Sequence, residues 1–209
     1  MTSQKRDPSS RLGPVPLGSG EVPEAPSVSA SNRSGSQVLI RPATPRDASQ
    51  VARLHHLGWT EGYRGLLPDE HLDSLSWPGC QARWEASLAS PGVATVLVAE
   101  VAELVGFVSY GPCFDPGTTG AGEVYDLWVA AAARSHGIGA ALLAAALDAL
   151  AADHEVAMVW VLGTNRRGQA FYEREGATPD GLARALGPVR DLRYRWDLRD
   201  RLTAPASTG

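Results

Sequence analysis

Cysteine is scarce in this chain. Cys80 and Cys113 are the only two in 209 residues, far apart and outside any C-x-x-C spacing. That excludes a disulfide framework and a cysteine-rich zinc site, and reduced, unreactive thiols are expected at both positions. An excess of basic charge is missing too. Nineteen Lys and Arg stand against 23 Asp and Glu, for a formal net charge of −4, which argues against nucleic acid as a partner. Long apolar runs are absent. The longest, residues 138–147, is about half of the ~20 residues that cross a bilayer. No apolar segment follows the N-terminal MTSQKRDPSS, so a secretory signal is not indicated. The expectation is a soluble, cytoplasmic protein with no membrane partner.

Residues 1–36 lack aromatic residues and apolar periodicity and are rich in Ser, Pro and Gly. Such a segment cannot bury enough surface to offset its ordering entropy, so a disordered tail is expected there. Residues 37–200 read as one domain, and 201–209 as a short frayed tail. A strand is expected over 38–41. Thr44-Pro45-Arg46-Asp47 then has the form of a helix start, with Thr44 as N-cap and Pro45 at the first position. Ala48, Val51, Ala52, Leu54 and His55 share one face of that helix, which should end near Gly58 or Trp59. The adjacent His55 and His56 point to different faces. Residues 59–68 read as a loop or broken helix, with short helices over 69–75 and 78–88. Apolar runs over 94–101 and 104–110 form a hairpin around Ala102-Glu103.

A loop over 113–122 leads into a strand from Glu123, and a helix follows from Gly139. Strand 156–162, helix 165–175 closed by Gly176, a weak strand near 181–184 and a last strand over 189–198 complete the chain. The expected class is α/β: a single mixed, mostly antiparallel sheet with helices on both faces.

Residues 123–140 are the informative stretch. A strand runs through a small-residue loop into Gly137-Ile138-Gly139, where an Ala- and Leu-rich helix opens. Backbone N–H groups at a helix N-terminus have no intrahelical partner and favour an anion, so a phosphate-bearing ligand is indicated. Two phosphate-binding templates fail. No G-x-x-x-x-G-K-[ST] run occurs. A dinucleotide fingerprint needs a third glycine where Leu142 stands and an acid near Leu162-Gly163-Thr164.

A third pattern fits. Arg134-x-x-Gly137-Ile138-Gly139-Ala140 resembles the R/Q-x-x-G-x-G/A acyl-CoA motif of the GNAT acetyltransferase superfamily. The segment from Asn165 to Gly176, with Phe171-Tyr172, resembles that superfamily's N-x-x-A-x-x-F-Y-x-x-x-G helix. Ile40 to Asp47 is similar to its first strand and helix start, and Trp59 with Tyr63-Arg64-Gly65-Leu66-Leu67-Pro68-Asp69 to a W…YRGLLPDE segment of bacterial members. The chain departs from the pattern at Ala131, where proline is common. Ser135 replaces glycine, His136 replaces Arg or Lys, and Gly168 replaces alanine.

The resemblance implies an acetyl-CoA-dependent N-acetyltransferase acting on a primary amine of a small molecule or a protein. Acetyl-CoA is then a co-substrate and no metal is called for. Backbone N–H groups of Arg134, Ser135, His136, Gly137, Ile138, Gly139 and Ala140 hold the pyrophosphate. Leu127, Trp128 and Val129 supply a backbone donor for the thioester carbonyl, and Asn165 bonds the pantetheine arm or serves as a helix cap. Glu123 is the expected general base, with Asp126 as the alternative. On a regular strand the two have opposite parity, so both face the substrate only if a bulge intervenes. Tyr172 is the expected general acid. Trp59, Tyr63 and Tyr125 are candidates for lining the acceptor pocket. Relatives of this kind often form homodimers. A non-catalytic acyl-CoA-binding domain and an enzyme using a longer acyl donor remain the competing readings.

Overall fold

A computed structural model of the chain describes residues 28–31, 37–90, 92, 94–186 and 189–201. The expectations for residues 1–27, 32–36 and 202–209 lie outside the described residues.

Strand β1 (Val28–Ser31) falls inside the segment expected to be a disordered tail. It pairs antiparallel with β2 (Gln37–Pro42) through Val28↔Ile40 and Ser31↔Gln37. An exposed sheet edge offers a row of N–H and C=O groups that a polar segment can satisfy without an apolar core of its own, so composition gives no sign of it. In β2, Val38 and Ile40 are buried while Gln37 and Leu39 face out. The helix start is built as the sequence suggests, with one change. A short 3₁₀ turn (Pro45–Asp47) precedes α1 (Ala48–Thr60). The buried Asp47 carboxylate accepts from the Thr44 N–H at 2.7 Å and its hydroxyl at 2.8 Å, and from both Nη groups of Arg41.

Helix α1 runs through Gly58 to Thr60, beyond its expected end. Two further helices follow, α2 (Asp69–Asp73) and α3 (Trp77–Ala89). Then come β3 (Thr95–Val101), β4 (Glu103–Pro112), β5 (Gly122–Val129), α4 (Ile138–Ala151), β6 (Val156–Leu162), α5 (Arg166–Arg174), β7 (Thr178–Leu186) and β8 (Val189–Asp197). Helix α5 ends in a Schellman motif: Gly176, at φ +89°, donates to Glu173 O, and Ala177 donates to Tyr172 O.

The eight described strands form one sheet, ordered β1-β2-β3-β4-β5-β6-β8-β7. Every neighbouring pair is antiparallel except β5 and β6. That parallel pair is joined by α4, the connection a parallel pair requires. Helix α4 buries Leu142, Leu143, Ala146 and Leu147 against Val108, Val124, Val159, Tyr194 and Trp196 on one face. On the other face α1 and α3 bring Val51, Ala52, Cys80 and Trp84 onto Val96, Val98 and Phe107. The mixed sheet with helices on both faces is therefore as expected.

Candidate active site

Strands β5 and β6 are neighbours for only three residues. Gly122, Glu123 and Val124 pair with Ala157, Met158 and Val159, and among the described residues the ladder stops there. Beyond that point β5 stays bonded to β4 through Val129, while β6 stays bonded to β8 through Leu162. A wedge opens between them, edged by backbone groups of both strands that lack the ladder partners a sheet normally supplies.

A bulge lies next to the fork. Tyr110 pairs with Val124 and Ser109 with Asp126, leaving Tyr125 as the extra residue. A bulge bends its strand and increases its twist. It also resets side-chain parity. Val124 and Leu127, three apart, both pack into the α4 side. Glu123 and Asp126 are thereby turned together to the opposite face. Glu123 lies with Cys113 and Asp115, their ligand atoms all within 4.8 Å of one another. Asp115 accepts from Trp160 Nε1 at 2.6 Å and Arg184 Nη1 at 3.3 Å, and burial raises the Cys113 thiol pKa. Asp115 thus already accepts two hydrogen bonds within that group. Both cysteines are free.

At the far end of β5 the chain makes a 3₁₀ turn (Ala131–Ala133) and then two left-handed residues, Ser135 at φ +67° and Gly137 at φ +86°. Gly137 is the N-cap of α4, so the N–H groups of Ile138, Gly139 and Ala140 have no acceptor within the helix. Arg134 folds back, its Nε donating to Val129 O at 3.0 Å, which ties the loop to the strand. The His136 Nδ1 and Trp128 Nε1 atoms are buried without a hydrogen-bond partner.

Two phenols lie within the field of one carboxylate, Asp126. Tyr172 on α5 is half-buried, edge-on to Phe171 and Trp196. Burial, then the Asp126 charge, pushes its pKa well above the ordinary phenol value. Burial does the same for Tyr63, with Tyr172, Asp126 and Asp191 adding to it. Asp126 accepts from the Ser109 hydroxyl at 2.8 Å and lies 3.5 Å from His55 Nε2. Burial lowers the His55 pKa, with Asp126 opposing the shift.

The Asp126 charge thus acts on both Tyr63 and Tyr172. The structure positions other expected residues differently. Trp59 is a core residue whose indole N–H donates to His55 Nε2, and Tyr125 donates its hydroxyl to Pro112 O, pinning the loop before β5. Asn165 caps α5, accepting from the Gly168 N–H at 2.9 Å. A Cβ at position 168 would stand 2.6 Å from the Asn165 amide nitrogen, so the Asn165 side chain would have to shift to admit one. His55 and His56 do diverge, His56 lying edge-on to Trp77.

Several residues of this face were not singled out from the sequence. Arg184 stacks 3.8 Å above Trp160, and Arg193 donates to Asp180 at 2.7 Å. His55 alone carried a local hint, sitting among the apolar positions of α1.

Residues 51–177 match the model of the Acetyltransferase (GNAT) family. Two curated relatives are similar to this chain. A protein of Bacillus subtilis (strain 168) named an uncharacterized N-acetyltransferase is 29% identical over 131 residues, 61% of this chain and 73% of that protein. A protein of Mycobacterium tuberculosis named a probable N-acetyltransferase is 27% identical over 158 residues, 74% of this chain and 87% of that protein. Among solved structures, the PaiA N-acetyltransferase of Thermoplasma acidophilum in complex with coenzyme A superposes with a TM-score of 0.64 at 17% identity. The match covers 76% of this chain and 99% of that one. The YncA acetyltransferase of Salmonella typhimurium with acetyl-CoA gives 0.59 at 18% identity, over 81% and 98%. These structures share the fold. No helix among the described residues is long and apolar enough to cross a membrane.

Proposed function

From the premise that this chain belongs to the GNAT acetyltransferase family, we propose that it transfers an acetyl group from acetyl-CoA directly to a primary amine of a small molecule or a protein. One observation carries the reading. The β5–β6 wedge runs from a helix N-terminus suited to phosphate to a fork flanked by carboxylates and a tyrosine. The residues fit an acyl-CoA. The turn at Ser135 and Gly137 aims backbone donors outward for the pyrophosphate, and the unpaired edge of β5 has hydrogen-bonding groups to offer the pantetheine amides. A fixed N–H near Leu127 to Val129, aimed at the developing oxyanion, contributes about 2.7–4 kcal/mol.

The acceptor arrives as an ammonium ion, with a pKa of ~10.4 for an alkylamine, and has to lose a proton before attack. Glu123 is the base by family resemblance. A second reading, with Asp126 as base, is favoured by the bulge that turns it to the same face as Glu123. Tyr172, a phenol protonated at neutral pH, is the acid that protonates the departing thiolate. The polar strip of Asp115, Trp160, Arg184 and Arg193 lies on the face where the acceptor would approach.

The test is thiol release from acetyl-CoA against a panel of small amines, aminoglycosides and peptides. Amine-dependent release is expected, falling about 10²-fold or more in Tyr172→Phe. Binding of CoA without release across the panel would favour a non-catalytic acyl-CoA-binding domain, and a preference for longer thioesters would make the donor a different acyl-CoA.

A further inference from the structure

Past the point where β5 and β6 part, each free edge turns two side chains to the face covered by α1. Side chains alternate along a strand, so once the bulge at Tyr125 is passed these are Asp126 and Trp128 on β5, and Trp160 and Leu162 on β6. The inner pair is polar. Asp126 accepts from the Ser109 hydroxyl, and the Trp160 indole N–H donates to Asp115. The outer pair is apolar and covered. Leu162 is buried in a cluster with Trp59, Leu67 and Leu72, and Tyr63, Trp128 and Val189 pack against that cluster. Strands β5, β6 and β8 all contribute to this apolar plug, together with α1, α2 and the segment between them.

Tyr63 is the aromatic ring that the α1–α2 segment adds to the plug. It meets Trp128 edge-on at 5.4 Å between centroids and Trp59 at 4.9 Å. Neither neighbour has room to yield. Trp128 lies against Gly58, where even a Cβ would stand 2.3 Å from its ring, and the Trp59 indole N–H is bonded to His55 Nε2 at 2.8 Å. The backbone is held as well. The N–H groups of Leu66 and Leu67 both donate to Tyr63 O, at 2.9 and 3.1 Å. Arg64 pairs with Asp69 at 3.1 Å and with Asp73 at 2.9 Å, and Thr164, just past β6, donates its hydroxyl to Leu66 O at 3.4 Å. A plug fixed in this way is a wall rather than a lid.

We propose that Tyr63 is the specificity-determining residue for the donor: its ring closes the outer end of the wedge and limits the transferred group to acetyl or propionyl. The proposal rests on the acetyl-transfer reading above, in which the thioester carbonyl is held by β5 near Leu127 to Val129, the stretch from which Trp128 projects. Each methylene added to the acyl group then has to be fitted against rings that cannot retreat, and overpacking is destabilising. The limit belongs to the bulk of the ring and not to the phenol hydroxyl.

The full chain is assayed for thiol release from acetyl-, propionyl-, butyryl- and hexanoyl-CoA with one saturating amine from the panel. Binding of each thioester is measured in parallel by calorimetry without amine. Wild type is expected to favour acetyl-CoA over hexanoyl-CoA by about 100-fold or more in kcat/KM, and to bind hexanoyl-CoA the more weakly of the two. Tyr63→Ala should reduce that preference by about tenfold or more and bring the hexanoyl-CoA Kd to or below that for acetyl-CoA. Tyr63→Phe, which keeps the ring, should retain the wild-type order of donors. Tyr63→Leu keeps an apolar contact with Trp59 and should admit butyryl-CoA; it carries the test if the alanine protein fails to fold, which thermal unfolding reports. A wild type that binds and turns over hexanoyl-CoA as well as acetyl-CoA would overturn the assignment. So would a folded Tyr63→Ala or Tyr63→Leu protein with the wild-type preference, or a Tyr63→Phe protein that loses it. A wild type that releases no thiol from any donor sinks the acetyl-transfer reading, and the calorimetric order of the thioesters in wild type and variants then still decides whether Tyr63 closes the wedge.

Discussion

Replacing Gly58 with alanine sets two physical effects against each other. Gly58 lies within α1, and helix propensity alone predicts a gain of ~0.8–1 kcal/mol from the change. Its surroundings predict the reverse. A Cβ at Gly58 would stand 2.3 Å from Trp128 Cε3 and 2.6 Å from both Cδ2 and Cζ3. Carbon atoms pack best at ~3.5–4.0 Å, so the indole has to retreat by about 1 Å or more. It has little room to do so. Tyr63 lies edge-on at 5.4 Å between centroids, His55 stands at 6.2 Å, and the Trp128 backbone is paired to Phe107 in β4. The offending atoms are a rigid ring, so the displacement falls on α1 or on β5. Overpacking of this kind costs ~1–3 kcal/mol. With a contact this close the upper end applies, leaving a net loss of about 2 kcal/mol after the propensity gain. For a domain of this size that is a fall in Tm of roughly 4–8 °C, measurable by thermal unfolding in the far-ultraviolet. Because Trp128 belongs to the β5 segment edging the wedge, the KM for acetyl-CoA should rise as well. A Gly58→Ala protein with wild-type or higher Tm would refute the reasoning, since it would mean that Trp128 is not seated on α1.

Ser135 holds a left-handed conformation that costs a non-glycine residue ~1–2 kcal/mol. Ser135→Gly should therefore raise the urea midpoint by the equivalent of about 0.5–1 kcal/mol, part of the relief being offset by the greater freedom of the unfolded chain. Asp47→Ala removes the acceptor shared by the Arg41 guanidinium and the Thr44 N–H while Arg41 keeps its pair with Glu100, and a loss of about 1–3 kcal/mol is expected in the same assay. The pH dependence of stability has two acid limbs, separable by urea unfolding at stepped pH. Burial puts the folded-state pKa of His55 below its ordinary 6.5. Below pH 6.5 the unfolded chain then takes up a proton that the folded chain refuses, so stability drops on acidification through that window, and His55→Gln should flatten the limb. Arg41 first, and Thr44 with it, lowers Asp47 from 3.8 to about 2. Its contribution is complete above pH 3.8 and is lost as the pH falls through about 2.

What this sequence determines by itself is the set of features whose partners lie a few residues away. Thr44, Pro45 and Asp47 build the start of α1 among themselves. Asn165 reaches the Gly168 N–H, and Gly176 closes α5 on Glu173. Gly137 turns β5 into α4 because its left-handed φ suits glycine. The alternation of Leu192, Tyr194 and Trp196 declares which face of β8 meets the core. Capping, turn geometry and side-chain period are properties of short stretches, so they could be read without knowing the rest of the chain.

Tertiary structure alone decided the features that depend on distant partners. Gly58 reads as a helix end until Trp128, seventy positions along, packs on it and carries α1 past it. The polar segment at Val28–Ser31 becomes a strand because β2 offers it an open edge. Glu123 and Asp126 share a face because the mismatch between β4 and β5 expels Tyr125 from the ladder, which no parity count along β5 alone can foresee. The wedge itself is made of pairing that stops, with β5 following β4 and β6 following β8. The left-handed turn that opens α4 was legible because a helix terminus is a local object. The fork was not, because it depends on β5 and β6 parting after three paired residues.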